Sequence, residues 1–445
     1  MNVRKLIIED VRCFASRQEF NIRPLTLLVG ENSTGKSTVL GCFQTLHTFA
    51  NPKPSGFHLD FNVEPYQMGT FVDIVRKSNP RKRSFKLGFE YKSENKKESA
   101  EYILTLAEKE KGSEPAVQEQ RVILPKGELV FVEGKEKING PNRQSPSIDS
   151  EISGSIGEEG FRRIVIGVNS HRLNANISSN LTSMAFEAAD KGDSSPEEKD
   201  FYELVERLPE SLSGRRYGPY EEDPYSFAPI RSKPQRTYDP LKETISPEGS
   251  DIPMLLMNMF RTNEKEWKEL KGRLIEFGKS SGLFSDIHVR RLGKSMGDPF
   301  QLQIKVRGPK VNMIDVGYGV NQLLPILVRM INSPPRVPFL MQQPEVHLHP
   351  RGQAELSSLL VALIRQREHS FVIETHSDYM VDRARIEIMK KRIEPEDVSL
   401  IYLEPSGNSV KVHNIAFDDQ ANLLGAPSSY REFFLKESDR LLGFD

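Results

Sequence analysis

The sequence predicts an α/β fold in which one parallel sheet is assembled from both ends of the chain. A mixed strand-and-helix arm is inserted between the two ends. Three observations predict this. An apolar run, Leu25-Thr26-Leu27-Leu28-Val29, leads into Gly30-Glu31-Asn32-Ser33-Thr34-Gly35-Lys36-Ser37-Thr38, and helix-period apolar residues Val39, Leu40, Phe43 and Leu46 follow. A second short apolar strand, over 337–341, comes about 300 residues later. Between them, from residue 84, short alternating segments separated by turn residues replace the helix-and-strand rhythm.

The first element justifies itself by chemistry. Residues 30–37 read G-x-x-x-x-G-K-S between a buried strand and a helix. Gly30 and Gly35 let the backbone bend around an anion without a Cβ clash. Backbone N–H groups and the new helix N-terminus then face that anion. Lys36 is placed to reach β- and γ-phosphates, and Ser37 to offer its hydroxyl to Mg²⁺. The competing reading is a glycine-containing turn that happens to match, and the agreement of strand, loop and helix weighs against it. Gly30, Asn32, Ser33, Thr34, Gly35, Lys36, Ser37 and Thr38 are therefore the candidate contacts to a nucleoside triphosphate with Mg²⁺.

Composition bounds the rest. The length suggests about three units. Lys+Arg is 61 against Asp+Glu 62, a net charge of −1, so no global field draws the chain onto nucleic acid or an anionic membrane. Cys13 and Cys42 are the only cysteines, which weighs against a disulfide scaffold or a structural zinc site. No apolar signal region or run of about 18 apolar residues occurs, so a cytoplasmic protein without a membrane partner is expected.

In order, strands are expected over 3–8, 14–22 and 25–29, then the loop and its helix. Residues 51–70 are punctuated by Gly and Pro and contain Gln67. Strands over 84–91, 101–107, 120–124 and 128–133 form an antiparallel meander. Residues 140–159 read as an exposed loop, 164–168 as a strand, and 195–208 as a helix opened by Ser195 and Pro196. Residues 209–238 look irregular. Helices over 253–260 and 264–278 and strands over 300–306 and 311–316 complete the arm. The last third alternates again: helix 321–331, strand 337–341, helix 351–367, strand 370–374, helix 378–391, strands 398–403 and 409–412, and a final helix over 429–442.

A phosphate loop needs an acidic partner on a neighbouring strand to hold Mg²⁺. Here strand 337–341 ends in Gln342-Gln343-Pro344-Glu345-Val346-His347-Leu348-His349-Pro350, and strand 370–374 ends in Glu374-Thr375-His376-Ser377. Gly317-Tyr318-Gly319-Val320-Asn321-Gln322 opens a helix. In these motifs the chain resembles the ABC-type ATPases of the RecF/SMC/OLD group, AAA-family ATPases of bacterial anti-phage defence. Their pattern is E-E-P-E-x-x-L-H-P, then E-T-H-S, with a signature segment G-x-G-x-S-Q. The resemblance covers about the first 75 and last 150 residues. In the middle it is loose, carried by Pro229-Ile230-Arg231 and Gly249-Ser250-Asp251.

The resemblance implies an ABC-type head formed by residues 1–80 and 296–445, with 81–295 as the inserted arm. It implies that Gly319, Asn321 and Gln322 present a helix N-terminus to ATP held by a second copy, in a homodimer or higher oligomer. It makes His376 the switch histidine at the γ-phosphate. Gln67 is either a lever between nucleotide and arm or an ordinary loop glutamine. His347 and His349 suggest a metal pair by spacing, but no third ligand is near and the family uses this stretch as a dimer-contact loop.

The departures matter most. Gln342 stands where the family has the acidic Mg²⁺ partner, and Gln343 where it has the Glu that activates water. Asn321 replaces the signature Ser. A glutamine offers a neutral oxygen to the metal but cannot act as a general base, and losing such a base costs about 10²–10⁴ in rate. The chain is thus expected to bind ATP and hydrolyse it slowly, with Glu345 either an alternative base or a structural glutamate. Substitution of a native acid to trap ATP would leave the same trace.

Arg76, Lys77, Arg81, Lys82, Arg83 and Lys86 form a basic cluster, and Lys390, Lys391 and Arg392 another. Each reads as a solvated face or a local DNA contact. Only about 70 residues follow His376, which is expected to be too few for the nuclease module of OLD proteins. The chain is similar to Septu- and PARIS-type ATPase subunits, which implies a separate nuclease or toxin effector. Two functions follow: a nucleotide-gated scaffold or sensor controlling that effector, or an active DNA-dependent ATPase of RecF-like repair.

Overall fold

The computed structural model describes residues 3–50, 59–77, 84–92, 99–110, 113–125, 127–133, 137–138, 144–145, 147–151, 162–168, 223–229, 232–239, 246–295, 297–432, 436, 439–440 and 442. The expected helix over 195–208 lies outside these residues, as do Ile230, Arg231 and Arg81 to Arg83, and the expected C-terminal helix is described only in fragments. The chain divides into two compact units. One comprises residues 1–22, 31–223 and 403–412, the other 23–30, 224–402 and 413–445.

The first unit is built on an eight-stranded sheet. Its strands are β1 (Val3–Glu9), β2 (Gln18–Asn21), β4 (Ser84–Lys92), β5 (Ser99–Glu108), β6 (Pro115–Leu124), β7 (Gly127–Glu133), β10 (Ser147–Glu151) and β11 (Arg162–Val168), in the order β10-β11-β7-β6-β5-β4-β1-β2. The expected meander is there as β4 to β7, each pair antiparallel. Beyond it, β11 pairs parallel to β7. Alternate residues Phe85, Leu87, Phe89 and Tyr91 of β4 are fully buried, the period expected of a half-covered sheet. Helix α1 (Lys36–Ala50) covers it with the Phe43 ring edge-on to Phe89 at 5.5 Å. A short helix α2 (Phe71–Ile74) adds Phe71, stacked on Phe85.

Two expectations fail in this unit. The stretch 140–159, read as a loop, contains β10 paired with β11 from Ser147↔Gly167 to Glu151↔Arg163, and a small hairpin of β8 (Lys137–Ile138) with β9 (Gln144–Ser145). Its Ser- and Gly-rich composition hides short strands that pair with their sequence neighbours. The strand expected over 14–22 shortens to β2, because the chain first turns tightly, with Phe14 N donating to Val11 O at 2.7 Å and Arg12 at φ 45°.

Most residues of a seven-stranded sheet belong to the second unit. Its strands are β3 (Leu25–Gly30), β12 (Tyr225–Phe227), β16 (Pro338–Gln342), β17 (Ser370–Glu374), β18 (Val398–Ser406), β19 (Ser409–Phe417) and β20 (Leu423–Leu424), in the order β12-β16-β17-β3-β18-β19-β20. Strands β12, β16, β17 and β3 run parallel. The N-terminal β3 is thus enclosed between two strands from the C-terminal third, as predicted. Every residue of β17 is buried, the pattern of a parallel strand covered on both faces. Strand β12 falls in the stretch expected to be irregular, and the rings of Tyr225 and Phe227 stack on Phe339 of β16.

Helices α3 (Ile252–Thr262), α4 (Glu264–Ser281), α5 (Tyr318–Asn332), α6 (Pro350–Arg367) and α7 (Asp378–Met389) belong to this unit. So does a small sheet of β13 (Asp286–Arg291), β14 (Phe300–Lys305) and β15 (Val311–Asn312). Leu256, Leu274, Ile304, Leu327, Phe339 and Ile373 lie in one buried cluster. Residues 252–291 of the expected arm therefore share a core with the parallel sheet. The strand expected over 311–316 stops at Asn312, whose Oδ1 accepts from Ile314 N at 3.2 Å and caps a 3-10 turn over Met313–Asp315. No described helix is long and apolar enough to cross a membrane.

Candidate nucleotide-binding site

In open α/β sheets, ligands bind beyond the carboxyl ends of the parallel strands. Here the register sets those ends side by side: Gln342 of β16 lies level with Glu374 of β17, and Glu374 level with Leu28 of β3. Gly30 closes β3, with φ 144°, and opens the loop to α1.

The loop's own geometry is that of an anion cradle. Ser33 has φ 65° and Gly35 φ 91°, the left-handed backbone that anion-binding turns use. A Cβ on Gly35 would stand 2.5 Å from Cys13 Sγ and 2.9 Å from the Phe14 ring, so position 35 admits glycine alone. Lys36 is 3% exposed, and its Nζ donates to Glu31 O at 2.6 Å. Thr34 Oγ1 donates to the same carbonyl at 2.8 Å. Asn32, Ser33 and Ser37 are exposed, and Thr38 is buried. Burial raises the Cys13 thiol above its ordinary range, so a neutral sulfur lies against the loop.

Arg12 is a residue that sequence reasoning missed. Its Nη1 donates to Thr38 Oγ1 at 3.2 Å, its Nη2 to Met68 O at 2.9 Å and its Nε to Asp73 O at 3.2 Å. One guanidinium thus ties α1 to the segment that carries Gln67. Gln67 itself is exposed, and Asn62 pins the segment by exchanging hydrogen bonds with the Gly69 backbone. Only a lone charge after the first strand marks Arg12 in the sequence, and that signal is too common to act on.

At the other strand ends, Gln343 takes φ 43°, and its N–H donates to Glu374 O at 2.8 Å. Gln342 and Gln343 are half-buried. Glu345 is buried, and its Oε1 accepts from Thr375 Oγ1 at 2.7 Å and from His376 N at 2.9 Å. It therefore holds the segment that presents His376, whose side chain is exposed. Thr375 N in turn donates to Leu28 O at 3.0 Å.

The helix opened by the signature-like segment exposes Gly317 and Tyr318, with Gly319 half-buried. Gly319 is required there, since a Cβ would stand 2.7 Å from His347 O. Asn321 and Gln322 turn inward and are buried. The Tyr318 ring meets His347 edge-on at 4.8 Å, and His349 caps α6 by accepting from Arg351 N at Nδ1. Both histidines thus have local structural partners.

In the basic cluster, Arg76 is buried. It donates to the carbonyls of Arg12, Cys13 and Asn408. Lys86 faces Glu9 at 3.4 Å and Arg392 pairs with Glu387. These three read less as a free cationic face than the sequence suggested.

The donor set suits a triphosphate: a lysine ammonium, backbone N–H groups and a helix N-terminus. Such a loop on the edge of a parallel sheet defines a nucleotide-binding α/β protein. The chain belongs to the AAA ATPase domain family, whose profile matches residues 1–381. Among solved structures it is similar to an SmcHead bound to the C-winged helix domain of ScpA, at 11% identity and a TM-score of 0.45, over 94% of this chain and 98% of that one. It is also similar to an Smc head with an extended coiled coil bound to the C-terminal domain of ScpA derived from Pyrococcus furiosus, at 11% identity and a TM-score of 0.42, over 99% and 98%. A third is the SMC head domain from Thermotoga maritima, at 10% identity and a TM-score of 0.38, over 93% and 99%. No curated protein matches the sequence.

Proposed function

We propose that this chain is an ATP-binding, ABC-type ATPase subunit that binds nucleotide well and turns it over slowly. It acts as a nucleotide-gated oligomeric scaffold or sensor for a separate nuclease or toxin effector in anti-phage defence. The observation that carries this reading is the pair Gln342-Gln343 at the carboxyl end of β16, level with Glu374 and in the strand next to it.

The roles follow from residue chemistry. Backbone N–H groups of 31–37 and the Lys36 ammonium neutralise phosphate oxygens. Ser37 and Gln342 are the residues that would hold Mg²⁺, which when bound would supply charge neutralisation to the phosphates. Gln343 orients a water but takes no proton from it, so the hydrolytic step lacks its base. Glu345 acts as a positioning residue that holds Thr375 and the His376 backbone. The α5 N-terminus, at Gly317 to Gly319, contacts ATP on a second copy through its backbone, and two heads close over shared nucleotide. The closed state, not turnover, is then the signal to the effector.

The test is ATP affinity beside steady-state turnover, with mass photometry at each nucleotide state. Tight binding, ATP-driven dimers and turnover far below one per second are expected. Turnover of several per second, or turnover stimulated strongly by DNA, would overturn the scaffold reading in favour of a working DNA-dependent ATPase.

A further inference from the structure

The small sheet β13-β14-β15 carries a charge that the nucleotide reading leaves unused. The whole chain has a net charge of −1, yet residues 286–310 hold six Lys and Arg against two Asp. Strand pairing sorts this stretch by face. Ile287, Val289, Leu302 and Ile304 turn inward and are buried. The alternate residues form the opposite face, with Asp286 level with Lys305, His288 with Gln303 and Arg290 with Gln301. None of these six is apolar.

The two acids of the stretch are already committed. Lys271 and Lys310 reach the two carboxylate oxygens of Asp286, at 2.9 and 3.3 Å. Asp298 accepts from Ser295 N at 2.6 Å inside the turn between β13 and β14. Arg290, Lys294, Lys305 and Arg307 are exposed and have no carboxylate partner among the described residues. The His288 ring, on the same face, registers the excess. Burial, then Lys310 and Lys271, hold it below its ordinary pKa, although Asp286 opposes them.

We propose that this face docks the phosphate backbone of duplex DNA without reading its sequence. Exposed Lys and Arg without a carboxylate partner are what phosphates recruit, and Gln301 and Gln303 add neutral donors for phosphate and sugar oxygens. Arg290 and Lys305 lie four residues apart along the sheet, about 13 Å. That is close to the width of a B-form major groove, about 12 Å, so the two cations can reach phosphates on both of its sides. A-form RNA has a deep, narrow major groove instead and is bound across its minor groove. Single strands are held by stacking on aromatic rings, and the rings of this region, Phe284 and Phe300, are buried. A protein partner needs an aromatic or apolar anchor, and this face offers none. Docking of this kind uses no residue of the nucleotide site and stands whether or not ATP is turned over slowly.

The experiment is fluorescence anisotropy of the full chain, without nucleotide, on a labelled DNA duplex of about 20 base pairs between about 50 and 200 mM salt. Four phosphate contacts give a slope of log affinity against log salt of about −3.6, which is about a hundredfold loss over that range. In Arg290→Gln with Lys305→Gln the slope flattens by about two. Both side chains are exposed, so this variant keeps its core intact. Lys390→Gln with Lys391→Gln, at the other exposed basic cluster, leaves affinity and slope unchanged. Absence of saturable binding at the lowest salt, or a slope that survives in the sheet variant, overturns the proposal. So does a loss confined to the Lys390 and Lys391 variant. An RNA duplex bound as tightly as DNA overturns it too. Poly-glutamate or phosphatidylserine vesicles bound more tightly than DNA, with loss in the sheet variant, give the face to a protein or a membrane and equally overturn it.

Discussion

Strands β3 and β16 end at the same edge of one parallel sheet, on either side of β17, and they are equipped in opposite ways. After β3 comes a loop with a buried lysine, backbone N–H groups and a glycine that nothing can replace. At β16 stand two neutral amides. Phosphate recognition needs fixed positive charge and donors, and the first end retains all of them. Water activation needs a proton acceptor, and neither amide supplies one. On the proposed reading, binding and chemistry fall to different strand ends. The contrast can be broken by restoring one end or by disabling the other.

Restoration has the largest expected effect. Gln343→Glu returns a base at a position whose backbone is already set by the hydrogen bond from Gln343 N to Glu374 O. The two side chains have the same shape, so the φ of 43° adds no new strain. Single-turnover hydrolysis should rise by about 10²–10⁴. A variant no faster than the wild type would show that something other than the missing base limits the step.

Disabling the first end comes next. Lys36→Ala removes a charged donor from the phosphates, and such contacts are worth about 1.5–3 kcal/mol each. ATP affinity should fall by about ten- to more than a hundredfold, read by calorimetry. Unchanged affinity would remove loop 30–38 from the site altogether.

How much of this was legible depended on the range of the interactions involved. The phosphate loop and strands β3, β16 and β17 announce themselves through local pattern, and the bounds of these strands came out within a residue or two. The glutamines were visible because a motif says what should stand there. Strand β12 was hidden because pairing with the distant β16 makes it a strand, and β10 because its polar composition masks a pairing with the next strand, β11. Arg12 was hidden for a related reason: its partners Thr38, Met68 and Asp73 are brought together only by the fold. The inward turn of Asn321 was equally silent, since a helix N-terminus read from sequence does not say which of its side chains faces the core.

The two ends of β17 sharpen the contrast between stability and function. At its amino end, His369 is buried, with Nδ1 accepting from Val337 N at 3.3 Å, so Nε2–H donates to Ser333 Oγ at 3.1 Å. Burial pushes its pKa down to about 4. Above the ordinary value near 6.5 the ring is neutral whether the chain is folded or not. As pH falls below that, the unfolded chain takes a proton that the folded one refuses, and stability is lost progressively until about pH 4. Between pH 7 and pH 5 the loss should be about 2 kcal/mol, read from denaturant midpoints. In His369→Gln that component of the slope should disappear. A slope identical in both proteins would mean the imidazole is not held neutral.

At the carboxyl end of β17 the smallest effect separates two readings of Glu345. If its carboxylate is an anchor for Thr375 and the His376 backbone, Glu345→Gln keeps an oxygen for both donors and loses only the charge. The difference between charged and neutral acceptors is about 1 kcal/mol, and that is the expected drop in stability, with residual turnover nearly unchanged. If Glu345 has instead taken over as the base, the same substitution should leave stability close to wild type and cut residual turnover by about 10² or more. The geometry favours the anchor, because the one oxygen that accepts from both Thr375 and His376 is directed at the protein's own backbone and hydroxyl. A carboxylate held that way orients the segment bearing His376 and is poorly placed to accept a proton from water.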